Sequence, residues 1–240
     1  MTTNIRLITF DLDDTLWDMR PALEAAEQAQ WSYLRSRFPN LALEATTREE
    51  LANIRSTLLT ERPELAHHIS LFREIYIERL LRSQDVPPDE SVEAARQAFA
   101  AFLSERHRVA VYDSAHSVLK TLANHFPLGA LTNGNADVRK TEIGQYFDYA
   151  WRAEEFGVSK PNPELFHQAF DEAGVEAREV IHVGDCHEND VKGAVAAGAL
   201  AIWFKPGGAF SEVAASVIGD LADLPKAVQK IVKKEAGAHR

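Results

Sequence analysis

The sequence predicts an α/β protein: a parallel β-sheet with helices on both faces, three layers in all, and an α-helical insertion after the first strand. Three observations predict it. Short, nearly continuous apolar runs alternate with helix-like segments, the pattern of strands buried on both faces. Residues 17–108 interrupt that rhythm with helical spacing and no convincing strand. Polar, chemistry-bearing residues follow directly on several of the apolar runs, where open parallel sheets bind their ligands.

The first strand is "IRLITF" (5–10), rich in β-branched residues. "PLGALT" (127–132), "VIHVG" (180–184) and "LAIWF" (200–204) each follow a helix-like segment, at 114–125, 162–173 and 190–198. "FDYAW" (147–151) is a further, shorter strand. Within the insertion, "RPALEAAEQAQWSYLRSRF" (20–38) sets Leu23, Ala26, Ala29 or Gln30, and Tyr33 or Leu34 along one stripe. "LFREIYIERLLRS" (71–83) is similar, and "SVEAARQAFAAFL" (91–103) sets Val92, Ala95, Phe99 and Phe102 on one side. Pro63 and "VPP" (86–88) punctuate between helices. The expected division is an α/β core of 1–16 and 109–240 around a helical domain of 17–108, the size of a small domain. "KAVQKIVKKEAGAHR" (226–240) reads as an amphipathic helix fraying into a polar tail, with Lys230, Lys233 and Lys234 on a solvated face.

The 240 residues carry 26 basic against 36 acidic side chains, a net charge of -10, which argues against a nucleic-acid partner. An anionic small substrate is compatible with that charge, because one metal ion or lysine reverses a local field. The single cysteine, Cys186, fits a reducing compartment. With no secretory signal and no bilayer-length apolar run, the expectation is a cytoplasmic protein without a membrane partner, a monomer or a homodimer.

Four polar stations stand at the strand ends. Asp11 and Asp13 follow the first strand, "TNGN" (132–135) the second and Asp185 with Asp190 a later one; "SKPNP" (159–163) puts Lys160 at a helix entry. Spaced by two, Asp11 and Asp13 can face one point, where Asp185 would join them from another strand. Clustered carboxylates repel unless protons or a cation relieve them. An all-oxygen set without His or Cys favours a hard ion such as Mg2+, which also takes waters and a substrate phosphate. Lys160, the Thr132 hydroxyl and the backbone N–H groups around Asn133 and Gly134 are then left to hold phosphate oxygens.

In order, "DLDDTLW", "LTNGN", "SKPNPELF" and "VGDCHENDVKGA" resemble the four motifs of the haloacid dehalogenase superfamily, phosphatase branch. The resemblance spans nearly the whole core and implies a Rossmann-like fold with a helical cap. It implies that Asp11 attacks phosphorus to form an aspartyl-phosphate. Asp13 would protonate the leaving oxygen and then activate water. Asp11, the Asp13 carbonyl and Asp185 would hold magnesium. Thr132 and Lys160 would bind the transferring phosphoryl group, with Asp190 supporting Lys160 or a metal-bound water. "ITFDLDDTLWDMRPAL" and "ELAHHISLFREIYIERLL" resemble bacterial flavin-pathway phosphatases, which act on flavin mononucleotide and on the phosphorylated ribitylaminouracil precursor of riboflavin.

Other residues read as structural. Asp14 and Thr15 shape a turn, Asp18 caps a helix, Trp17 packs, His182 is buried and neutral, and Cys186 is a small loop residue rather than a nucleophile. His187 either lines the site or faces solvent. Arg20, His67, His68, Phe72 and Arg73 are the insertion's candidates for reading the leaving group, the flat side chains by stacking. The expected reaction is phosphomonoester hydrolysis of a small phosphorylated metabolite. The alternatives are a broad sugar-phosphate, phosphoglycolate or nucleotide phosphatase, a phosphomutase, a haloacid dehalogenase, and a non-catalytic binding protein on the same fold.

Overall fold

The structure is a computed structural model describing residues 4–41, 43 and 47–237. The end of the expected C-terminal tail, 238–240, lies outside them. In chain order the main elements are β1 (Leu7–Phe10), α1 (Met19–Arg37), α2 (Arg48–Glu61), α3 (Ile69–Arg82), α4 (Pro88–Arg106), α5 (Ala115–Ala123), β2 (Leu128–Thr132), β3 (Tyr149–Arg152), α6 (Ala153–Phe156), α7 (Pro163–Glu172), β4 (Val180–Gly184), a π-helix (His187–Lys192), α8 (Gly193–Ala196), β5 (Leu200–Phe204), β6 (Ser216–Ile218) and α9 (Leu224–Gly237). They form two compact units, Met1–Met19 with Val109–Arg240, and Arg20–Arg108. No helix of the described residues is long and apolar enough to cross a membrane.

The first unit is an α/β fold on one six-stranded sheet, ordered β3-β2-β1-β4-β5-β6 with every pairing parallel. Alternation sorts each strand's side chains to two faces. Ile8, Phe10, Leu128, Ala130, Ile181 and Val183 pack with α5 and α9 residues such as Leu119, Leu122, Val228 and Ile231. Leu7, Leu131, Val180 and Ala201 pack on the other face with Leu165, Phe166 and Phe170 of α7. Each fully buried Leu, Ile or Phe contributes about 1.5–3 kcal/mol, so both helical layers are firmly held.

Two elements depart from the sequence reading here. The helix expected at 190–198 opens three residues earlier, as a π-helix. β6 was not foreseen: three residues, only Ile218 of them buried, leave little apolar signal. The unit boundary also falls after Met19 rather than after Leu16. Trp17 explains the shift, being fully buried and bridging both Asp13 and Val111.

The second unit is helical. α1 buries Ala22, Ala26, Gln30 and Leu34, four residues apart, with Leu23, Ala29 and Tyr33 on the flank of that stripe. α4 buries Ser91, Ala94, Ala95, Ala98, Phe99, Phe102 and Arg106. Val92, expected on this face, is 49% exposed; Ser91 takes the inner place because its hydroxyl donates to the Pro88 carbonyl at 2.8 Å. α2 was missed because Leu58 is its only buried residue, so no stripe exists to read. Its signal was a different one, the capping box between Thr47 and Glu50.

Candidate active site

Strand register places the site. Phe10 pairs with Ala130 on one side and Val183 on the other. Two residues further along, Thr132 and Asp185 come level with Leu12, flanked by Asp11 and Asp13. The order of strands reverses here, since β1 lies between β2 and β4, and such switch points leave a crevice at the carboxyl ends. A cleft of about 180 Å³ opens there, lined by Asp11, Asp13, Asp14, Thr132, Lys160 and Asp185 among others. Asn133, Gly134, Cys186 and Asp190 line it too, so all eight residues expected of the site meet in one place.

Lys160 is the hub. Its ammonium donates to Asp11 Oδ1 at 2.7 Å, Asp190 Oδ1 at 2.7 Å and the Leu131 carbonyl at 2.8 Å. An ammonium has three donors, and all are used. Asn133 holds the backbone of Lys160 from both sides: its Nδ2 donates to the Lys160 carbonyl at 2.9 Å, and its Oδ1 accepts from the Lys160 N–H at 2.8 Å. Its side chain is therefore a clamp on Lys160. The Gly134 N–H, expected to meet phosphate, donates to Thr132 Oγ1 at 3.0 Å, which leaves the Thr132 O–H itself to donate.

Behind Lys160 runs a buried polar chain. Thr9 and His182 are register partners on the α7 face of the sheet, and Thr9 Oγ1 lies 2.9 Å from His182 Nδ1. His182 Nε2 lies 3.3 Å from Asp190 Oδ1, while Asp190 Oδ2 accepts from the Cys186 N–H at 3.0 Å. The π-helix supplies Asp190 from its fourth position, with the Cys186 carbonyl accepting from the Asp190 N–H at 2.9 Å. Gly184 is required beneath it, because a Cβ there would sit 2.3 Å from Asp190 Cγ.

The turn after β1 shapes the opposite wall. Asp14 adopts φ 60°, a left-handed conformation that Asp tolerates, and its Oδ1 accepts from the Met19 N–H at the start of α1. Trp17 Nε1 donates to Asp13 Oδ1 at 2.8 Å. Trp17 thus packs, as expected, and also aims a candidate acid/base. Thr15 does more than shape the turn: fully buried, its hydroxyl stands 3.5 Å from Asp11 Oδ2 and 3.4 Å from Asp185 Oδ1. Sequence reasoning missed Thr15, Thr9 and Trp203 as site residues. Trp203 Nε1 donates to the Asp185 carbonyl at 2.7 Å, and His187 packs on the Trp203 ring while its Nε2 meets Ser211 Oγ at 2.9 Å. His187 therefore serves the Asp185 loop, and Cys186 lines the cleft.

Charge here is unevenly shared. Burial pushes the Asp11 carboxyl up to about 8 even against Lys160, with Asp190 adding repulsion. Burial, then Asp190 and Asp14, push Asp185 up to about 6. Asp190 goes the other way: its burial is outweighed by Lys160 and His182, which hold it well below the usual carboxylate range. Burial would lower Lys160, but Asp11 and Asp190 overcome it and hold its proton firmly. His182 is pulled down by burial, so it is neutral as expected. One lysine cannot neutralise four neighbouring carboxylates. Asp11, Asp185 and Asp190 each offer an oxygen within 4.8 Å of one another, so this all-oxygen set fits a hard divalent cation. Asp190, expected behind the metal ligands, has both oxygens engaged by Lys160, His182 and Cys186.

A family model described as haloacid dehalogenase-like hydrolase matches residues 5–198. The chain is 34% identical over 202 residues to the 5-amino-6-(5-phospho-D-ribitylamino)uracil phosphatase YigB of Escherichia coli (strain K12), covering 84% of each. It is 30% identical to a glyceraldehyde 3-phosphate phosphatase of Methanopyrus kandleri, covering 85% of each. Among solved structures, 2-haloacid dehalogenase from Pseudomonas syringae pv. Tomato DC3000 superposes with a TM-score of 0.90 at 39% identity, over 95% of this chain and 99% of that one. A HAD phosphatase from Thermococcus onnurineus gives 0.64 at 23% identity, over 93% and 98%, a likeness of fold.

Proposed function

Because the chain belongs to the haloacid dehalogenase-like hydrolase family and is a phosphatase within it, we propose that it hydrolyses a phosphomonoester of a small metabolite by covalent attack from Asp11. The observation that carries this reading is the buried 2.7 Å contact of Asp11 with a lysine shared with Asp190, in the wall of the cleft at the ends of β1 and β4. Lys160 occupies Oδ1 of Asp11 and leaves Oδ2 to attack phosphorus, forming an aspartyl-phosphate as the ester oxygen departs. Asp13, steadied through Oδ1 by Trp17, is the group that would protonate that leaving oxygen and then take a proton from the attacking water. The Thr132 O–H is the free donor for a phosphoryl oxygen. A phosphoryl oxygen reaches Lys160 only by displacing one of its three partners, so its first duty is to orient and partly discharge Asp11.

Asp11, Asp185 and the Asp13 carbonyl are the groups that would hold magnesium. When bound, the ion supplies charge neutralisation between an anionic nucleophile and an anionic substrate. Thr15, between Asp11 and Asp185, keeps those two carboxylates facing.

The substrate we favour is a phosphorylated compound bearing a heterocycle, flavin mononucleotide or a riboflavin precursor. Support comes from the YigB relative, whose printed activity is on a ribitylaminouracil phosphate. The test is phosphate release over a panel of flavin mononucleotide, ribitylaminouracil phosphate and sugar phosphates, with and without magnesium. Asp11→Asn is expected to abolish release, and near-normal activity in that variant would sink the assignment. The similarity to a 2-haloacid dehalogenase names one competing reading, attack at carbon. Asp13 argues against it, since resemblance assigns that second aspartate to phosphate chemistry. Halide release from 2-chloropropionate without phosphatase activity would reverse the choice.

A further inference from the structure

Asp185 is the less secured of the two carboxylates that would hold magnesium. Lys160 spends its three donors on Asp11, Asp190 and the Leu131 carbonyl, so none is left for Asp185. The Thr15 hydroxyl stands 3.4 Å from Asp185 Oδ1, a long contact for an O–H donor. Burial, then repulsion from Asp190 and Asp14, work against an ionised Asp185 in this place. The short contact is to its backbone, where Trp203 Nε1 donates to the Asp185 carbonyl at 2.7 Å.

That indole is itself held. Trp203 on β5 is the register partner of Gly184, so it stands beside the residue that follows Gly184. An indole has a single N–H, which is aimed only by fixing the ring. His187 packs on the ring, with centroids 4.6 Å apart and planes at 58°. His187 Nε2 in turn meets Ser211 Oγ at 2.9 Å. Ser211 Oγ accepts from the N–H groups of Val213 at 3.3 Å and Ala214 at 3.1 Å, which leaves its O–H to donate to His187. Gly207 and Gly208, at φ 84° and 79°, turn the chain after β5 so that Ser211 returns to His187. A strap of side chains thus runs from the loop at 205–213 to Asp185, all of it within the α/β unit. None of its three side chains lines the cleft. A phenylalanine at 203 could pack equally well; the bond to Asp185 is what the indole adds.

We propose that Trp203, His187 and Ser211 are positioning residues that hold Asp185 where a divalent cation needs it, and that the loop after β5 thereby sets the affinity for magnesium. The proposal rests on the metal-holding role given to Asp11 and Asp185 above. Groups that orient metal ligands from behind commonly govern affinity by about 10–100-fold. Here the lever reaches the ligand through its peptide, so the number and kind of ligands stay the same when it is cut.

The binding arm is calorimetric titration of magnesium into the full chain without substrate. Asp185→Asn marks the site by losing that binding. Trp203→Phe keeps a ring against His187, removes the N–H, and is expected to weaken binding about tenfold. Ser211→Ala and His187→Phe break one and the same bond, so each should weaken binding about threefold and the double variant no further. Phe210→Ala, on the same loop but 83% exposed, is the control and binds as the wild type does. The kinetic arm follows phosphate release from an aryl phosphate. In Trp203→Phe the magnesium concentration for half-maximal rate rises about tenfold, while kcat at saturating magnesium stays within about twofold. Wild-type affinity in Trp203→Phe overturns the proposal and leaves Asp11 and Asp185 standing as the metal-holding pair. Should that variant fail to fold, the loop variants decide: wild-type affinity in Ser211→Ala, or losses that add in the double variant, overturn it equally. A wild type that binds no magnesium, or an Asp185→Asn that binds it unchanged, overturns the metal reading and this proposal together.

Discussion

Lys160 and the residues that touch it set the predictions at the scale of single side chains. All three donors of a buried ammonium are satisfied, so each partner's loss leaves an unmet charge. His182→Leu keeps an apolar volume beside Phe166 but removes the contacts to Thr9 and Asp190. It is expected to cost about 1–3 kcal/mol in urea denaturation. Because Asp190 then loosens its grip on Lys160, kcat should fall more than KM rises. Gly184→Ala is expected to do comparable damage by another route, since the added Cβ would sit 2.4 Å from Asp190 Oδ2. Overpacking of this kind costs about 1–3 kcal/mol, and activity should fall with it. Normal thermal unfolding and normal phosphate release in Gly184→Ala would show that Asp190 can move without consequence.

At the scale of elements, the site depends on where helices and turns begin. α7 starts at Pro163 with Asn162 as its cap, accepting from the Glu164 N–H at 3.0 Å. Asn162→Ala should cost about 1 kcal/mol. Two residues upstream, the Asn133 clamp joins the loop after β2 to Lys160 by two hydrogen bonds. Asn133→Ala should lose both and lower kcat well beyond what Asn162→Ala does, although the stability losses are similar; equal kcat in the two variants would reduce Asn133 to a loop tie. The π-helix has its own requirement. Gly193, just after it, approaches Phe166 Cε2 so closely that a Cβ would lie at 2.8 Å, with the Pro161 Cα at 3.0 Å. The wide turn that delivers Asp190 and the cis Lys160–Pro161 segment thus pack against each other.

For the whole molecule, the relevant quantity is how protons, a cation and folding share one acidic site. Asp11 and Asp185 both bind protons more tightly folded than unfolded, up to about 8 and about 6. Below pH ~4 they are protonated in both states and cost nothing. As pH rises from about 4 through 6 and 8, the folded chain gives up protons it holds more tightly than the unfolded chain does, and stability falls. Asp190 works in the opposite sense, contributing stability above the unfolded carboxylate pKa that is lost only in strong acid. A divalent cation held by Asp11 and Asp185 would compete with those protons. The gain in Tm from magnesium over EDTA should therefore grow from pH 6 to pH 8, with proton release on binding. A gain independent of pH across that range would mean the ion binds elsewhere.

Much of this was legible in the order of residues. Strands buried on both faces have to be apolar along their length, so β1, β2, β4 and β5 announced themselves, and polar residues at their ends had to belong to a ligand rather than to the core. Asp11, Asp13, Thr132, Lys160, Asp185 and Asp190 were legible for that reason. α2 and β6 were not, because each buries a single residue and leaves no periodic stripe. What tertiary structure alone decided is the division of labour among similar groups. The Asn133 side chain became a clamp on Lys160, Thr15 came to stand between two carboxylates, and Thr9 with His182 came to back Asp190. Sequence spacing gives which residue types share a strand end. Desolvation and hydrogen bonding between residues 149 or 173 positions apart determine which carboxylate keeps a proton and which keeps the lysine, and only the packed fold makes those contacts.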